Sequence, residues 1–131
     1  MTADATAAPL SKKLLWFGRV LTTLSALMLL MSGVMKLMKP PDLVKEFARL
    51  GWPDELALGI GIVELVYVAL YVVPRTSVLG AILLTGYLGG ATATHVRIGD
   101  PFIGPVLIGV VIWLGLYLRD ARLRALIPLR S

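Results

Sequence analysis

Residues 56–73 read LALGIGIVELVYVALYVV, an apolar run with one carboxylate, Glu64, in its middle. At about 1.5 Å per residue this makes roughly 27 Å of helix, close to the hydrocarbon thickness of a bilayer. The run therefore reads as a transmembrane helix with an acid near half depth. A carboxylate at the centre of a spanning helix costs about 2.5 to 3.5 kcal/mol on insertion scales, so Glu64 calls for a partner or a proton and marks a candidate functional position.

Working outward, Pro53 suits a helix start, and Asp54 and Glu55 follow in the first turn, where the helix dipole favours negative charge. Pro74 closes the run. Upstream, residues 14–37 form another apolar run, interrupted by Arg19 near its start and Lys36 near its end, with Ser11 placed to cap it. The run is long for a signal peptide and has no small-x-small cleavage site, so a permanent span is expected. Pro40 and Pro41 break the helix, and Asp42 is expected to cap a short one over residues 42–50. Leu43, Phe47 and Leu50 share one face there, which predicts an amphipathic interfacial helix with Trp52 as its anchor. Residues 75–77 are a tight connection into a third run, 78–95. Asp100 is expected to cap, and Pro101 to open, a fourth run ending at Leu118.

The expected fold is all-α: a four-transmembrane-helix bundle with up-down connectivity and spans at about 14–37, 54–73, 77–95 and 101–118. Residues 1–10 are small and aperiodic and are expected to form a disordered tail. Residues 119–131 read as a basic cytoplasmic tail held at an anionic leaflet.

Composition supports a membrane protein. The chain has 131 residues, 57% of them hydrophobic, and a mean hydropathy of +0.83. It contains no cysteine, which excludes thiol chemistry, thiolate metal sites and iron–sulfur clusters. The net charge of +5 comes from basic residues flanking apolar runs, a topological pattern, and no nucleic-acid partner is expected. Lys12, Lys13, Arg19, Arg75, Arg119, Arg122, Arg124 and Arg130 fall on the side of the termini. Lys36, Lys39, Lys45, Arg49 and Arg97 fall on the other. That excess places both termini in the cytoplasm.

Helical spacing puts Ala57, Gly61, Glu64, Tyr67 and Tyr71 on one face, and Tyr87, Gly90, Ala91, Thr94 and His95 on one face of the next helix. Packed together, these faces predict a polar-lined cavity open to the outer side, with residues 43–52 near its mouth. The candidate pocket residues are Glu64, Lys36, Tyr67, Tyr87, Thr94 and His95. Lys36 is the first candidate partner for Glu64, and Arg19 the second. Plainer roles stand beside these: a packing glutamate, basic side chains reaching for the interfaces, and tyrosines bonded across helices. Gly61, Gly86 and Gly90 lie at small-residue spacings that allow close helix approach. One histidine cannot supply two haem ligands, and one membrane carboxylate cannot build a di-iron centre. No metal site and no Ser-His-Asp arrangement is recognisable. Any turnover needs a bound lipophilic carrier or a partner subunit, and no catalytic residue is assigned.

SGVMKL at the end of the first run, IVELVY in the second, and GYLGGATATHVRIGDP across the third and its loop together resemble the DoxX-like family of small bacterial membrane proteins, over residues 15–118. The resemblance implies a four-helix bundle in the bacterial inner membrane that acts as an oxidoreductase subunit or an accessory protein. It carries over to Lys36, Glu64, Tyr87 and His95. The absence of cysteine departs from any thiol-dependent role. Residues and resemblance together lead to one main expectation: binding of a lipophilic small molecule, a quinone or a lipid, in the outer-side pocket of a membrane redox assembly. The alternatives are a non-enzymatic accessory or chaperone protein bound to another membrane protein, and a small proton-coupled transporter, a class that carries its acid on the first helix instead. A homodimer is a further expectation.

Overall fold

The computed structural model describes residues 10–130, so residues 1–9 of the expected disordered tail lie outside the described residues. Those described are all-helical, with no strand among them. Helix α1 (Lys12–Met38) starts at Ser11, whose Oγ accepts the Leu14 N–H at 3.3 Å. It ends at Lys39, in the left-handed region at φ 52, ahead of the two prolines. Helix α2 (Pro41–Leu50) is preceded by Pro40 and has proline in its first turn. Asp42 therefore lies inside that turn and is not the cap expected of it; it acts on the helix dipole instead.

A 3₁₀ turn, Asp54–Leu56, leads into α3 (Ala57–Val72), and a second, Pro74–Thr76, leads into α4 (Ser77–Arg97). Ser77 is the first residue of α4 and not part of the connection. Its buried hydroxyl lies 2.8 Å from the Tyr71 carbonyl and 2.9 Å from that of Val73, covering acceptors that the end of α3 leaves free. Helix α5 (Ile103–Arg119) opens at Ile103 after Phe102, with no side-chain cap. Asp100, expected to cap it, is drawn into a tertiary ion pair. The expected basic tail contains α6 (Ala121–Leu126), capped by Asp120 and burying Leu123 and Ala125.

Among the described residues, three helical stretches are long and apolar enough to cross a membrane: Lys12–Met38, Asp54–Val72 and Pro74–Arg97. Ile103–Arg119 is apolar but shorter. Helix α1 packs on α3 and α5, and α4 packs on α3 and α5. The shared core includes Leu29, Val68, Tyr71, Leu84, Ile112 and Leu116. Outward faces remain apolar, with Trp16, Met31, Leu27, Ile82 and Leu107 all exposed, as for a surface solvated by lipid.

Helix separation is set at a few glycines. A Cβ on Gly61 would stand 2.9 Å from the Gly33 carbonyl oxygen, and one on Gly115 would stand 3.1 Å from that of Gly18. A Cβ on Gly80 would lie 2.3 Å from the Tyr71 nitrogen. Gly86 and Gly90, expected at a close approach, have nothing within 4 Å of that position. Small residues four apart make a contact only where a second helix closes on their face; no described residue covers Gly86, and Gly90 faces an open cavity between α4 and its neighbours.

Candidate functional site

Glu64 is fully buried in α3. Its Oε1 accepts hydrogen bonds from Lys36 Nζ at 2.9 Å, Tyr87 Oη at 2.8 Å and Ser32 Oγ at 3.2 Å. Lys36 Nζ also donates to Ser32 Oγ at 2.6 Å. Ser32 and Lys36 are one turn apart on α1, and the contact between Gly33 and Gly61 brings that face of α1 onto α3. Tyr87 arrives from α4. Lys36 turns inward and does not run to an interface; its ammonium lies 5.9 Å from the Tyr87 ring centroid. One carboxylate oxygen thus ties three helices together. The other, Oε2, is buried without a hydrogen-bond partner among the described residues.

Beside this cluster lies a cavity of about 760 Å³. Lys36 and Tyr87 are part of its wall, whereas Glu64 stands behind them. Apolar side chains make up most of the lining: Leu43, Phe47 and Leu50 from α2, Ile60 and Val63 from α3. Gly90 opens space in the wall where a side chain would fill it. Thr94, His95 and Glu46 also line the cavity. Arg19, the second candidate partner of Glu64, is exposed elsewhere on α1. Tyr67 is not among the lining residues: it packs against the hydrophobic core.

The α2 side of the cavity is held by polar contacts to α4 and its following loop. Arg49 pairs with Glu46 through Nε at 3.0 Å and Nη2 at 2.6 Å, and with Asp100 through Nη1 at 2.8 Å. Hydrogen bonds that Arg49 donates to its carboxylate partners, Glu46 first, push its pKa further up, and the Arg49 hydrogen bond holds Asp100 below the ordinary aspartate value. Arg97 donates to the Leu50 carbonyl, and Trp52 Nε1 donates to Thr94 Oγ1 at 3.4 Å. His95 Nδ1 is 2.7 Å from the Ala91 carbonyl. A carbonyl only accepts, so Nδ1 carries the proton, and Nε2 faces Asp100 at 3.9 Å. Glu46, His95 and Asp100 have ligand-type atoms within 4.8 Å of one another, but Arg49 already brings positive charge to both carboxylates.

A further polar network joins the opposite ends of the helices. Tyr71 Oη donates to the Ile112 carbonyl at 2.8 Å and lies 3.3 Å from Thr22 Oγ1. Arg119 Nε donates to Thr22 Oγ1 at 2.9 Å, with its guanidinium carbon 5.7 Å from the Tyr71 ring centroid. The sequence places Tyr71 on the Glu64 face but carries no local signal for the Arg119 contact. The Ser32 contact could have been found, since Ser32 precedes Lys36 by one turn.

Membrane-length apolar helices around a buried carboxylate held by lysine, serine and tyrosine define a helical membrane protein. The sequence model of the DoxX-like family matches residues 20–117, and the chain belongs to that family. No curated protein and no solved structure matches it.

Proposed function

We propose that the chain is a four-span protein of the bacterial inner membrane, with both termini cytoplasmic, that binds a lipophilic small molecule in the cavity beside Glu64. A quinone is the ligand we favour, within a redox assembly whose partner protein supplies the electrons. Helix α5, at about 25 Å, falls at the short end of the spanning range and makes the fourth span. One observation carries the reading: Lys36 and Tyr87 both belong to the cavity wall and both hydrogen-bond the buried Glu64.

The residues fit such a ligand. A mostly apolar cavity of about 760 Å³ with a few convergent polar groups is of ordinary ligand-pocket size. Lys36 spends two of its three N–H donors on Ser32 and Glu64, which leaves one for a ligand carbonyl. A bound quinone would supply two-electron, two-proton chemistry at its ring oxygens. Glu64 fixes the ammonium at the wall. Tyr87 gives its hydrogen to Glu64 while its oxygen is free to accept, so it connects the cavity to a buried acid by one hydrogen bond.

The test uses Trp52, which lines the cavity. In a variant with Trp16→Phe and Trp113→Phe, a short-chain ubiquinone analogue quenches the remaining tryptophan with a saturable isotherm, and Lys36→Met weakens binding. Non-saturable quenching, equal in a variant that retains only Trp16, would mean partition into the detergent and would sink the proposal.

A further inference from the structure

The charges of the described chain are unevenly divided. Thr22, Tyr71 and Arg119 meet, so the first turns of α1, the Pro74–Thr76 turn and the joint of α5 with α6 are neighbours. This end carries Lys12, Lys13, Arg19, Arg75, Arg119, Arg122, Arg124 and Arg130 against one described carboxylate, Asp120. Asp120 is committed to capping α6: its Oδ1 accepts the N–H groups of Arg122 at 2.9 Å and Leu123 at 3.3 Å. Every ion pair among the described residues lies at the other end or in the Glu64 cluster.

Two of these arginines are partly buried. Arg119 Nη2 and Arg124 Nε are shielded and make no hydrogen bond, and neither guanidinium has a carboxylate partner among the described residues. Arg124 Nη1 instead donates to the Tyr117 and Leu118 carbonyls at 2.8 and 3.1 Å, at the end of α5. A guanidinium does not shed its proton, so both charges persist, with no anionic partner among the described residues. Just after Arg124 in the chain, Leu126, Ile127 and Leu129 are exposed.

We infer that the joint between α5 and α6 binds the phosphate head of an anionic phospholipid. This rests on the membrane reading above and not on the cavity ligand. Arg119 Nη1 and Arg124 Nη2 are neither shielded nor bonded among the described residues, and these two donors are offered to phosphate oxygens. Leu126, Ile127 and Leu129 lie against the acyl chains, which is the feature that selects a lipid over a soluble phosphate. Through Thr22 and Tyr71 the bound headgroup fixes α1, α3 and α5 at this end.

The experiment adds phosphatidylglycerol, with phosphatidylcholine as control, to the detergent-solubilised full chain. Retained lipid is counted by native mass spectrometry, and the melting temperature is followed in parallel. The chain retains phosphatidylglycerol preferentially, and Arg124→Gln weakens that retention about tenfold. The pair Lys12→Gln with Lys13→Gln, which removes two positive charges where Arg124→Gln removes one, weakens it less than about twofold. Arg119→Lys, which keeps the charge and loses the Nη1 donor, weakens retention while preserving the fold. Equal loss in the Arg124 and lysine variants means diffuse attraction and overturns the site. So does an absence of preference for phosphatidylglycerol, or an equal thermal shift from inorganic phosphate at the same concentration.

Discussion

Replacing Lys36 by methionine keeps the side-chain length and removes the charge that faces Glu64. The Lys36 side chain is 14% exposed and the Glu64 side chain 0%, so little solvent screens the pair. Removing one partner of such a buried pair leaves the other uncompensated and costs about 3–5 kcal/mol. The double substitution Lys36→Met with Glu64→Leu removes both charges and the orphaned Oε2 together. Apolar replacement of a whole buried pair is neutral or stabilising by about 1–4 kcal/mol, so the double variant recovers most of what the single one loses. Tyr87 and Ser32 then lack an acceptor, which holds the recovery short of complete. Equilibrium unfolding in mixed micelles with increasing dodecyl sulfate measures both variants against the parent. A change of less than about 1 kcal/mol in Lys36→Met, or a double variant no more stable than the single one, would refute a buried, unscreened pair.

The glycine crossings give an opposed pair of outcomes. Gly80→Ala places a methyl 2.3 Å from the Tyr71 nitrogen and costs about 1–3 kcal/mol of overpacking, whereas Gly86→Ala meets nothing within 4 Å and gains up to about 1 kcal/mol in helix propensity; thermal melts in detergent separate them. Gly90→Leu fills the cavity wall from a position with open space, so the fold persists and saturable quenching of Trp52 disappears; retained binding would move the site elsewhere. The Asp100 contact titrates in the acid range. Its folded pKa lies below the ordinary 3.8, so the Arg49 tether is intact above that value and is lost as pH falls through the lower folded one. Amide exchange in α2, corrected for its intrinsic pH dependence, stays protected down to about pH 4 and rises below it. Asp100→Asn raises it already at neutral pH, and unchanged protection in that variant would show that Arg97 and Trp52 suffice to hold α2.

The amino-acid sequence determines the all-helical character and the position of the buried acid, because both follow from local solvent chemistry. A run such as 56–73 leaves no charged group but Glu64 for which a polar environment must be found. The start of α1 at Ser11 and the stop at the two prolines are equally local, since caps and missing N–H groups act within one turn. Lys36 is legible as a partner of Glu64 from its depth, and its spacing from Ser32 follows from helical geometry. The sequence does not carry helix rotation. Whether Gly90 makes a contact or opens a cavity wall, whether Tyr67 faces the polar cluster or the core, and whether Asp100 caps α5 or binds Arg49 all depend on which helix covers which face. The tertiary structure alone decides these, by bringing Gly33 onto Gly61, Gly18 onto Gly115 and Gly80 onto Tyr71. Each closure fixes the phase of one helix against another, and a phase change of one residue, about 100°, would carry every side chain on that helix to a different neighbour.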